Sequence, residues 1–353
     1  MTTLAELTTL RVGGPAAAYR EAHSEAEFIE AIRAADAAAT PLLVIGGGSN
    51  LLVGDAGFDG LVLRDARADV SVQDDGFCGG VSVTATAGTP WDHVVARAVA
   101  EGWVGLEALS GIPGSVGAAP VQNIGAYGAE LADTLASVRT WDRELGAVKT
   151  LPLIELGFGY RTSVLKRSLV SPFGPTPRYV VLDVTVQMRF GTRSAPVKYQ
   201  QLASALDIDL GGTASTADVR AAVLALRTSK GMVLNDADHD TWSAGSFFTN
   251  PVLSQAQAAL LPEGAPRFAS GTALDSTAAV KTSAAWLIEH AGFSKGFALP
   301  GSRAALSTKH TLALTNTGGA TSAELRELAR HIQVGVRKAS GIFLTPEPLI
   351  VGA

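Results

Sequence analysis

The sequence predicts an α+β protein in which small mixed sheets carry helices on their faces, in about three lobes. Three observations support this prediction. Segments with helical periodicity are interspersed with segments of strand periodicity along the chain. The chain has 353 residues, more than one hydrophobic core usually supports, so two or three domains are expected. The sequence contains neither internal repeats nor a low-complexity tract.

The first half of the chain has clear signals for two helices and three strands. Ser24 is predicted to begin a helix through a capping box with Glu27. A second helix is predicted to begin at Thr89, with Asp92 in its first turn and Gly102 as its C′ glycine. The buried face of the first helix is marked by Phe28, Ile32 and Ala35. Strands are predicted at Pro41–Ile45, Gly60–Leu63 and Val81–Ala87.

The second half begins with a β-rich stretch from Val138 to Met188, whose clearest strand is Tyr179–Met188. Gly191–Pro196 is predicted to be a loop and 231–245 an irregular segment. Ser215 with Asp218 predicts a helix start, as does the pair Thr321 and Glu324. The remaining predicted elements are helices at Thr282–Ala291 and Thr321–Lys338, a strand at Thr311–Asn316 and a strand-like tail at Ile342–Val351.

Composition excludes several classes of function. The 28 basic and 33 acidic residues give a net charge of −5, which argues against a nucleic-acid surface. Cys78 is the only cysteine, so no intramolecular disulfide is possible. The six histidines lack metal-ligand spacing, so no metal site is predicted. Neither a signal peptide nor an apolar run long enough to span a membrane is predicted.

Two Gly-rich segments indicate a ligand site. Gly114–Gly128 has neither helical nor strand periodicity, and its four glycines stand beside Gln122, Asn123 and Tyr127. IGGGSNLL at Ile45–Leu52 follows a predicted strand, which suits backbone N–H groups directed at a phosphate. It has neither P-loop nor GxGxxG spacing. A Gly-rich domain connection and a plain turn are the alternative interpretations of the two segments.

Three further segments each contain a polar residue of chemical interest. Arg161 in GYRTSVLK offers a guanidinium fork for a carboxylate or phosphate, unless it is an ordinary surface arginine. Ser246 in AGSFFTNP precedes two aromatic residues, and a simple turn before a core strand is the alternative. Glu347 in FLTPEPLIVG lies in an apolar tail, either with a functional partner or as a solvated edge residue.

Taken in chain order, these segments resemble the UDP-N-acetylenolpyruvoylglucosamine reductase family. The resemblance runs from TTLRVGGPA through IGGGSNLL, SGIPGSVGAAPVQNIGAYG, YRTSVLK, RTSK, AGSFFTNP, AAWLIEHAG and LSTKH to Pro346 and Glu347. It implies a two-lobed FAD-binding domain of the vanillyl-alcohol-oxidase (PCMH) type and a C-terminal α+β substrate-binding domain. The implied lobes are 1–66 and 67–226, and the substrate-binding domain is 227–342. The tail 343–353 is expected to return to the first lobe.

The resemblance also implies roles for individual residues. Arg161, Ser246 and Glu347 would be catalytic. Tyr160, Tyr199, Lys230 and Asn250 would contact the substrate. Non-covalent FAD would lie against residues of the two Gly-rich segments and of Ser110–Pro113, which directly precedes the second segment. These are Ile45, Gly46, Gly47, Gly48, Ser49, Asn50, Leu51, Leu52, Ser110, Gly111, Ile112, Pro113, Gly114, Ser115, Gly117, Asn123, Ile124, Gly125, Ala126, Tyr127 and Gly128.

The implied activity is NADPH-dependent, FAD-mediated reduction of UDP-N-acetylglucosamine enolpyruvate to UDP-N-acetylmuramate, a step of bacterial peptidoglycan precursor synthesis. Hydride would reach the vinyl terminus, and Arg161 would stabilise the negative charge that develops. Ser246 would protonate the α-carbon as general acid. Glu347 would work protonated, or would orient Arg161 or a water. A cytoplasmic monomer is expected, with the sugar nucleotide and NADPH as its small-molecule partners.

Three features depart from the family pattern: Thr249 replaces a common lysine, Pro348 follows the candidate catalytic Glu347, and Leu169–Arg178 is Pro-rich. Two other functions stay open at this point. One is a flavin oxidase of the same fold that returns electrons to oxygen. The other is a regulator that binds a nucleotide without catalysis, which would be colourless when purified.

Overall fold

The computed structural model describes residues 2–74, 80–170, 172–270 and 279–352, so Cys78 lies outside the described residues. The chain divides into two compact units. The larger unit contains Ala16–Gly48 and Phe58–Val233, and the smaller unit contains Met1–Pro15, Ser49–Gly57 and Leu234–Ala353.

The strands and helices have the following bounds in chain order. The strands are β1 Ala16–Ala22, β2 Leu42–Ile45, β3 Leu51–Val53, β4 Phe58–Asp65, β5 Val70–Asp74, β6 Val81–Thr86, β7 Trp103–Val104, β8 Gly125–Ala126, β9 Ala129–Glu130, β10 Leu135–Asp142, β11 Ala147–Pro152, β12 Tyr179–Phe190, β13 Val252–Leu253, β14 Phe268–Ser270, β15 Ala279–Lys281, β16 Ala304–Leu306, β17 Leu314–Asn316 and β18 Leu349–Val351. The α-helices are α1 Leu4–Leu7, α2 Glu25–Ala37, α3 Trp91–Ala100, α4 Leu153–Leu156, α5 Val164–Arg167, α6 Gln200–Ala205, α7 Thr216–Ser229, α8 Gln255–Ala259, α9 Ala284–His290 and α10 Ser322–Ser340. Short 3-10 helices include Glu107–Leu109, Val116–Gln122, Leu131–Asp133 and His239–Thr241.

A three-stranded parallel sheet in the order β1-β4-β2 forms one layer of the larger unit. Helix α2 packs on it, and the predicted face of Phe28, Ile32 and Ala35 is buried. Ser24 accepts a hydrogen bond from the Glu27 N–H, as predicted. The second hydrogen bond of the predicted capping box, from the Ser24 N–H to the Glu27 side chain, is wrong. The Glu27 carboxylate accepts the N–H of His23 at 2.9 Å instead.

An antiparallel sheet in the order β11-β10-β12-β6-β5, with β7 beside β12, forms the second layer of the larger unit. The alternating Val81, Val83 and Ala85 are buried on one face, which confirms the predicted strand. Helix α3 begins one residue later than predicted, because Pro90 is its N-cap and provides no capping side chain. Gly102 has φ +69°, as expected for a C′ glycine.

A partly buried ion network joins these two layers. Arg67 follows the end of β4, and its guanidinium pairs with Asp65 at 2.7 Å and with Glu25 at 3.3 Å. It also donates to the carbonyl of Leu182 in β12. The hydrogen bond from Arg139 of β10 lowers the pKa of Glu25 below its ordinary value. Because a buried charge without its partner is costly, this network fixes the two sheets on each other.

The smaller unit contains an antiparallel sheet β13-β15-β14, the hairpin β16-β17 and the parallel pair β3-β18. Helix α10 has the predicted capping box of Thr321 and Glu324, and Leu325, Leu328 and Ile332 are buried as predicted. The two strands predicted near its ends are shorter than expected, since only Leu314–Asn316 and Leu349–Val351 are extended ladders. Among the described helices, none is both long and apolar enough to cross a membrane.

Candidate functional site

The two Gly-rich segments meet in the larger unit. A Cβ on Gly46 would lie 2.3 Å from Ser115 Oγ, and a Cβ on Gly47 would lie 2.8 Å from the Cα of Gly114. Real Cβ atoms do not approach that closely, so only glycine allows this contact. Gly48 then turns the chain with φ +62°. Gly46 and Gly47 therefore present backbone without side chains of their own where they face Ser115 and Gly114, and backbone of this kind accommodates a phosphate-bearing ligand.

The Gly114 segment is held in place by backbone hydrogen bonds. Its carbonyl accepts the N–H of Trp91 at 3.0 Å, while the Val116 N–H donates to Thr89 at 2.8 Å. The Gly117 N–H donates to Ala87 at 2.9 Å, at the end of β6. The segment is therefore a fixed wall against β6 and α3 and not a loose connection.

Gly111, three residues before Gly114, is gripped on both sides. Its N–H donates to the Asp92 carboxylate at 2.6 Å, and its carbonyl accepts from Arg227 Nε at 3.1 Å. Arg220 of α7 binds both Asp92 oxygens at 2.7 Å. Burial raises the pKa of Asp92, but the hydrogen bonds from Arg220 and Gly111 outweigh it, so the pKa lies below its ordinary value. Helix α7 thus positions this loop through a charged clamp.

A tight hairpin follows the 3-10 helix Val116–Gln122. Strands β8 and β9 pair at Ala126 and Ala129, and the two residues between them, Tyr127 and Gly128, have φ +50° and +81°. Two successive positive φ values are typical of a type I′ hairpin turn. Asn123, just before the hairpin, also has a positive φ of +47°. Asn123 therefore lies at the base of the hairpin, where its side chain can bond to residues on the other side of it.

The buried Asn123 side chain closes the base of this hairpin. Its amide nitrogen donates to the Glu130 carboxylate at 2.7 Å, and its amide oxygen accepts the N–H of Ala132 at 3.1 Å. Both polar atoms of the side chain are therefore used within the protein.

Arg161 lies at the tip of a four-residue turn. Gly159 and Thr162 exchange two backbone hydrogen bonds of 3.1 and 3.2 Å, and Arg161 between them has φ +54°. The guanidinium reaches the hairpin, where it donates to the carbonyls of Gly125 at 2.9 Å and Asn123 at 3.4 Å. Both of these acceptors are neutral backbone carbonyls of the hairpin region.

A second cluster in the larger unit joins Tyr127, Tyr199 and Lys230. The two tyrosine rings meet edge to face at 5.6 Å, and Lys230 Nζ lies 5.8 Å from the centre of the Tyr127 ring. Burial raises the pKa of Tyr127. Burial and the charge of Arg161 lower the pKa of Arg227. The cluster combines cations with aromatic faces, which suits a nucleotide diphosphate.

Ser246 and Glu347 lie on two adjacent segments of the smaller unit. Gly245 makes the turn before Ser246 with φ +72°, and the buried Phe247 and Phe248 follow. The Glu347 N–H donates to the Phe247 carbonyl at 2.8 Å. Asn50 contacts the segment that contains Glu347, since its side chain donates to the Glu347 carbonyl at 3.4 Å. The backbone hydrogen bond between Glu347 and Phe247 therefore brings three predicted site residues close together: Asn50, Ser246 and Glu347.

Comparison with known proteins places this geometry in a family. Residues 236–351 match the model of the UDP-N-acetylenolpyruvoylglucosamine reductase C-terminal domain, and residues 16–151 match an FAD binding domain. The reductase of Cutibacterium acnes is 51% identical over 350 residues, which cover 99% of this chain and 89% of that protein. The reductase of Nocardia farcinica is 52% identical over 355 residues, which cover 99% and 88%.

The chain belongs to the UDP-N-acetylenolpyruvoylglucosamine reductase family. The crystal structure of the reductase from Thermus caldophilus superposes on it with a TM-score of 0.65 and 26% identity, over 99% of this chain and 97% of that one. The predicted fold, an FAD-binding domain followed by the α+β C-terminal domain of these reductases, is thereby confirmed.

Several residues predicted to contact FAD in this reductase-family chain also build the core. Ile45 ends β2 with only 2% of its surface exposed, and Leu52 in β3 is fully buried. Ser110 is fully buried and donates to the Glu107 carbonyl at 2.7 Å. Those packed against the hydrophobic core of the larger unit are Ile112, Ile124 and Ala126. Their contacts with a cofactor remain predictions.

The remaining predicted substrate residues occupy two places. Tyr160 precedes Arg161 in the turn, with the Arg161 guanidinium 5.9 Å from its ring. Asn250 lies in the smaller unit, where its side-chain oxygen accepts the N–H of Ala284 at 2.9 Å, at the start of α9. Asn250 thus has a structural contact beside its predicted contact with substrate.

The departures from the family pattern have structural contacts of their own. The Thr249 N–H donates to the Thr345 carbonyl at 3.1 Å, and Pro348 is buried. In the Pro-rich loop, Thr176 Oγ1 donates to the Leu42 carbonyl and accepts the Val44 N–H, both at 2.7 Å. This loop therefore covers the free edge of β2.

Sequence reasoning missed the residues that hold the reductase's candidate site in place. Glu107 has 2% of its surface exposed and accepts the N–H groups of Gly105 and Ala195, each at 2.7 Å. Asp92 was interpreted as a helix-start residue, yet it grips Gly111. Glu130 gave no motif signal. A charged residue beside a Gly-rich segment was the available hint, but it does not say which backbone group the side chain reaches.

Proposed function

We propose that this protein reduces the enolpyruvyl ether of UDP-N-acetylglucosamine enolpyruvate to the lactyl ether of UDP-N-acetylmuramate, with NADPH as hydride donor. One observation carries the proposal: the 51% identity to the Cutibacterium acnes reductase extends over 99% of the chain. The protein is therefore an oxidoreductase of peptidoglycan precursor synthesis. A flavin oxidase that uses only oxygen and a non-catalytic regulator are disfavoured by that full-length match.

FAD is the cofactor, because residues 16–151 match an FAD binding domain. The residues present fit a diphosphate-bearing group, since Gly46 and Gly47 leave room only for backbone where they meet Gly114 and Ser115. When bound, FAD would supply the hydride-transfer chemistry that links NADPH to the vinyl group of the substrate. The backbone of Gly46–Gly48 would hold the diphosphate, and the wall from Gly111 to Ser115 would line the flavin.

Arg161 stabilises the negative charge that hydride addition places on the α-carbon and its carboxylate. Its guanidinium donates to the carbonyls of Asn123 and Gly125, which fixes its position. A charge-assisted hydrogen bond to the substrate carboxylate is stronger than a neutral one. Arg161 is placed by the protein before the reaction, which is the condition for electrostatic stabilisation of a transition state.

Ser246 donates the proton that the α-carbon requires. The buried Phe247 and Phe248, with rings 5.2 Å apart, form an apolar floor beside the half-buried Ser246. Glu347 is fixed to the same turn by its bond to the Phe247 carbonyl. An ionised Glu347 would repel the substrate carboxylate, so it acts as a protonated acid or as an orienting group.

The substrate diphosphate is bound by Lys230, with Tyr199 and Tyr160 against the sugar nucleotide and Asn250 as a further contact. The edge-to-face pair of Tyr127 and Tyr199 next to Lys230 supports this assignment, because it offers a cation beside aromatic faces. Tyr199 has 43% of its surface exposed and is therefore accessible to a ligand.

The functional division follows the lobes 1–66, 67–226 and 227–342, with the tail 343–353 beside the first lobe. The parallel pairing of β18 with β3 supports the position of the tail. A cytoplasmic monomer fits this role, since NADPH and UDP-sugars are cytoplasmic metabolites and one chain provides all the site residues named above.

Steady-state turnover of the purified holoprotein tests the function. NADPH consumption should depend on added UDP-N-acetylglucosamine enolpyruvate, and the product should carry two additional hydrogen atoms by mass spectrometry. UDP-N-acetylglucosamine, which lacks the enolpyruvyl group, is the control. NADPH consumption that depends on oxygen and not on the sugar nucleotide would favour an oxidase and overturn the proposal.

A further inference from the structure

We infer that Asn123 and Glu130 form a positioning pair for Arg161, an inference that rests on the proposed function. Neither side chain need touch substrate for this role. They determine where two backbone carbonyls lie, and those carbonyls hold the guanidinium. The pair therefore acts on the reaction through Arg161.

The contacts form a continuous chain from Glu130 to Arg161. The Glu130 carboxylate accepts the Asn123 amide at 2.7 Å, and strand pairing of Gly125 with Glu130 fixes the register of the hairpin. The Asn123 amide oxygen also accepts the Ala132 N–H. Arg161 then donates to the Gly125 and Asn123 carbonyls at 2.9 and 3.4 Å.

The conformation of Asn123 determines the direction of its carbonyl. Its φ of +47° lies in the left-handed region, which asparagine tolerates better than most residues that have a Cβ. Only 1% of its surface is exposed, so solvent cannot replace its side-chain bonds. Loss of the Glu130 bond would leave a buried amide donor unsatisfied and would release the base of the hairpin.

Glu130 acts on Arg161 through Asn123 in this chain of contacts. The Glu130 carboxylate accepts the Asn123 amide, and the Asn123 and Gly125 carbonyls accept the Arg161 guanidinium.

Glu130→Ala tests the inference, because Glu130 is exposed and its removal should not prevent folding. The rate of flavin reoxidation by UDP-N-acetylglucosamine enolpyruvate should fall about 10-fold, since small misplacement of a catalytic group is costly. Reduction by NADPH should be unchanged. Glu130→Gln keeps an acceptor oxygen for the Asn123 amide and should recover most of the loss. Glu155→Ala removes another exposed carboxylate as a matched control.

A double-mutant cycle with Arg161→Ala distinguishes positioning from a general structural role. If Glu130 acts through Arg161, Glu130→Ala should add almost nothing to the effect of Arg161→Ala. Additive effects would overturn the inference. Asn123→Gly, which keeps the left-handed backbone but removes the amide, should behave like Glu130→Ala in the same cycle.

Binding gives a readout that does not depend on turnover. Glu130→Ala should weaken binding of UDP-N-acetylglucosamine enolpyruvate to the oxidised protein and leave binding of UDP-N-acetylglucosamine unchanged, because only the former presents a carboxylate to Arg161. Equal weakening of both ligands would contradict the inference. If wild-type protein is not reoxidised by the enolpyruvyl ligand, the proposed function fails. If wild type is reoxidised and Glu130→Ala behaves like wild type, the positioning role alone is wrong.

Discussion

The turns that contain Arg161 and Ser246 both require a residue with positive φ, but they place it at different kinds of residue. In the Ser246 turn, the residue with positive φ is Gly245, at +72°. Ser246 comes next and is followed by two buried phenylalanines. In the turn at Gly159–Thr162, Arg161 itself takes the positive φ, at +54°. Glycine accepts that conformation at little steric cost, whereas arginine does not.

The difference shows where each region depends on the rest of the protein. A glycine turn needs little help to form. A side chain held at positive φ persists only where surrounding contacts fix it, and such residues concentrate at functional sites. Around Arg161 those contacts include the hairpin carbonyls and Lys166, whose Nζ donates to the Arg161 carbonyl at 3.3 Å. We therefore expect the Arg161 region to be sensitive to its neighbours and the Ser246 region to its own residues.

Ser246→Ala should have the largest effect on activity. Reoxidation of reduced flavin by the enolpyruvyl sugar nucleotide should slow by about 10²–10⁴, the range for loss of a general acid. Reduction by NADPH should stay unchanged, because Ser246 is not expected to act in that half. Rapid-mixing kinetics of each half-reaction measure both. Two intact half-reactions would remove Ser246 from the mechanism.

Arg161→Ala should slow the same half-reaction by about 10²–10³, the effect of losing one stabilising donor. Arg161→Lys should lie between wild type and alanine, because it keeps a charge but loses the planar fork. Stopped-flow reoxidation of the two variants gives the comparison. If lysine and wild type react equally fast, the orientation imposed by the hairpin is irrelevant and the contrast between the two turns loses its meaning.

Gly47→Ala should release FAD rather than slow the chemistry. Its Cβ would lie 2.8 Å from Gly114 Cα, so the two Gly-rich segments must separate. Overpacking of this kind costs about 1–3 kcal/mol, which corresponds to roughly 5- to 150-fold weaker binding. Fluorescence titration of apoprotein with FAD measures the affinity.

Gly146→Ala is the control for that experiment, since a Cβ there would meet no atom within 4 Å. It carries only the cost of its φ of +62°. Equal FAD affinity in Gly47→Ala and wild type would show that the contact between the two segments does not form the cofactor wall.

Gly245→Ala should have the smallest effect, confined to stability. A Cβ at this position would meet no atom within 4 Å, so the only cost is the left-handed backbone, about 1–2 kcal/mol. Urea unfolding of the holoprotein measures it. Ser246→Ala, which makes no new backbone demand in the same turn, is the matched control. An unchanged unfolding free energy would mean that glycine does not relieve strain there.

Local signals predicted much of the fold. Ser24 with Glu27, Ser215 with Asp218, and Thr321 with Glu324 each begin a helix where capping residues indicate one, because these bonds form within one turn. Strands β1, β7 and β13–β16 were not predicted. The residues of β1 and β7 become extended through pairing with β4 and β12, far along the chain, which a local pattern does not report.

The candidate site divides in the same way. Gly46, Gly47 and Gly114 could be identified from the sequence, since close backbone approach requires glycine. The contacts of Asp92 with Gly111 and of Asn123 with Glu130 could not, because an isolated polar residue does not reveal its acceptor. The positive φ of Arg161 was equally unpredictable. It results from the bonds between Gly159 and Thr162 and from two carbonyls that lie 36 and 38 residues earlier in the chain.

An anaerobic titration tests the central claim, that this protein passes hydride from NADPH through FAD to an enolpyruvyl ether. One equivalent of NADPH should bleach the flavin absorbance of the purified protein. Addition of UDP-N-acetylglucosamine enolpyruvate, still without oxygen, should restore the oxidised spectrum with one equivalent. A flavin that stays reduced after that addition and recovers only when oxygen is admitted would contradict the account.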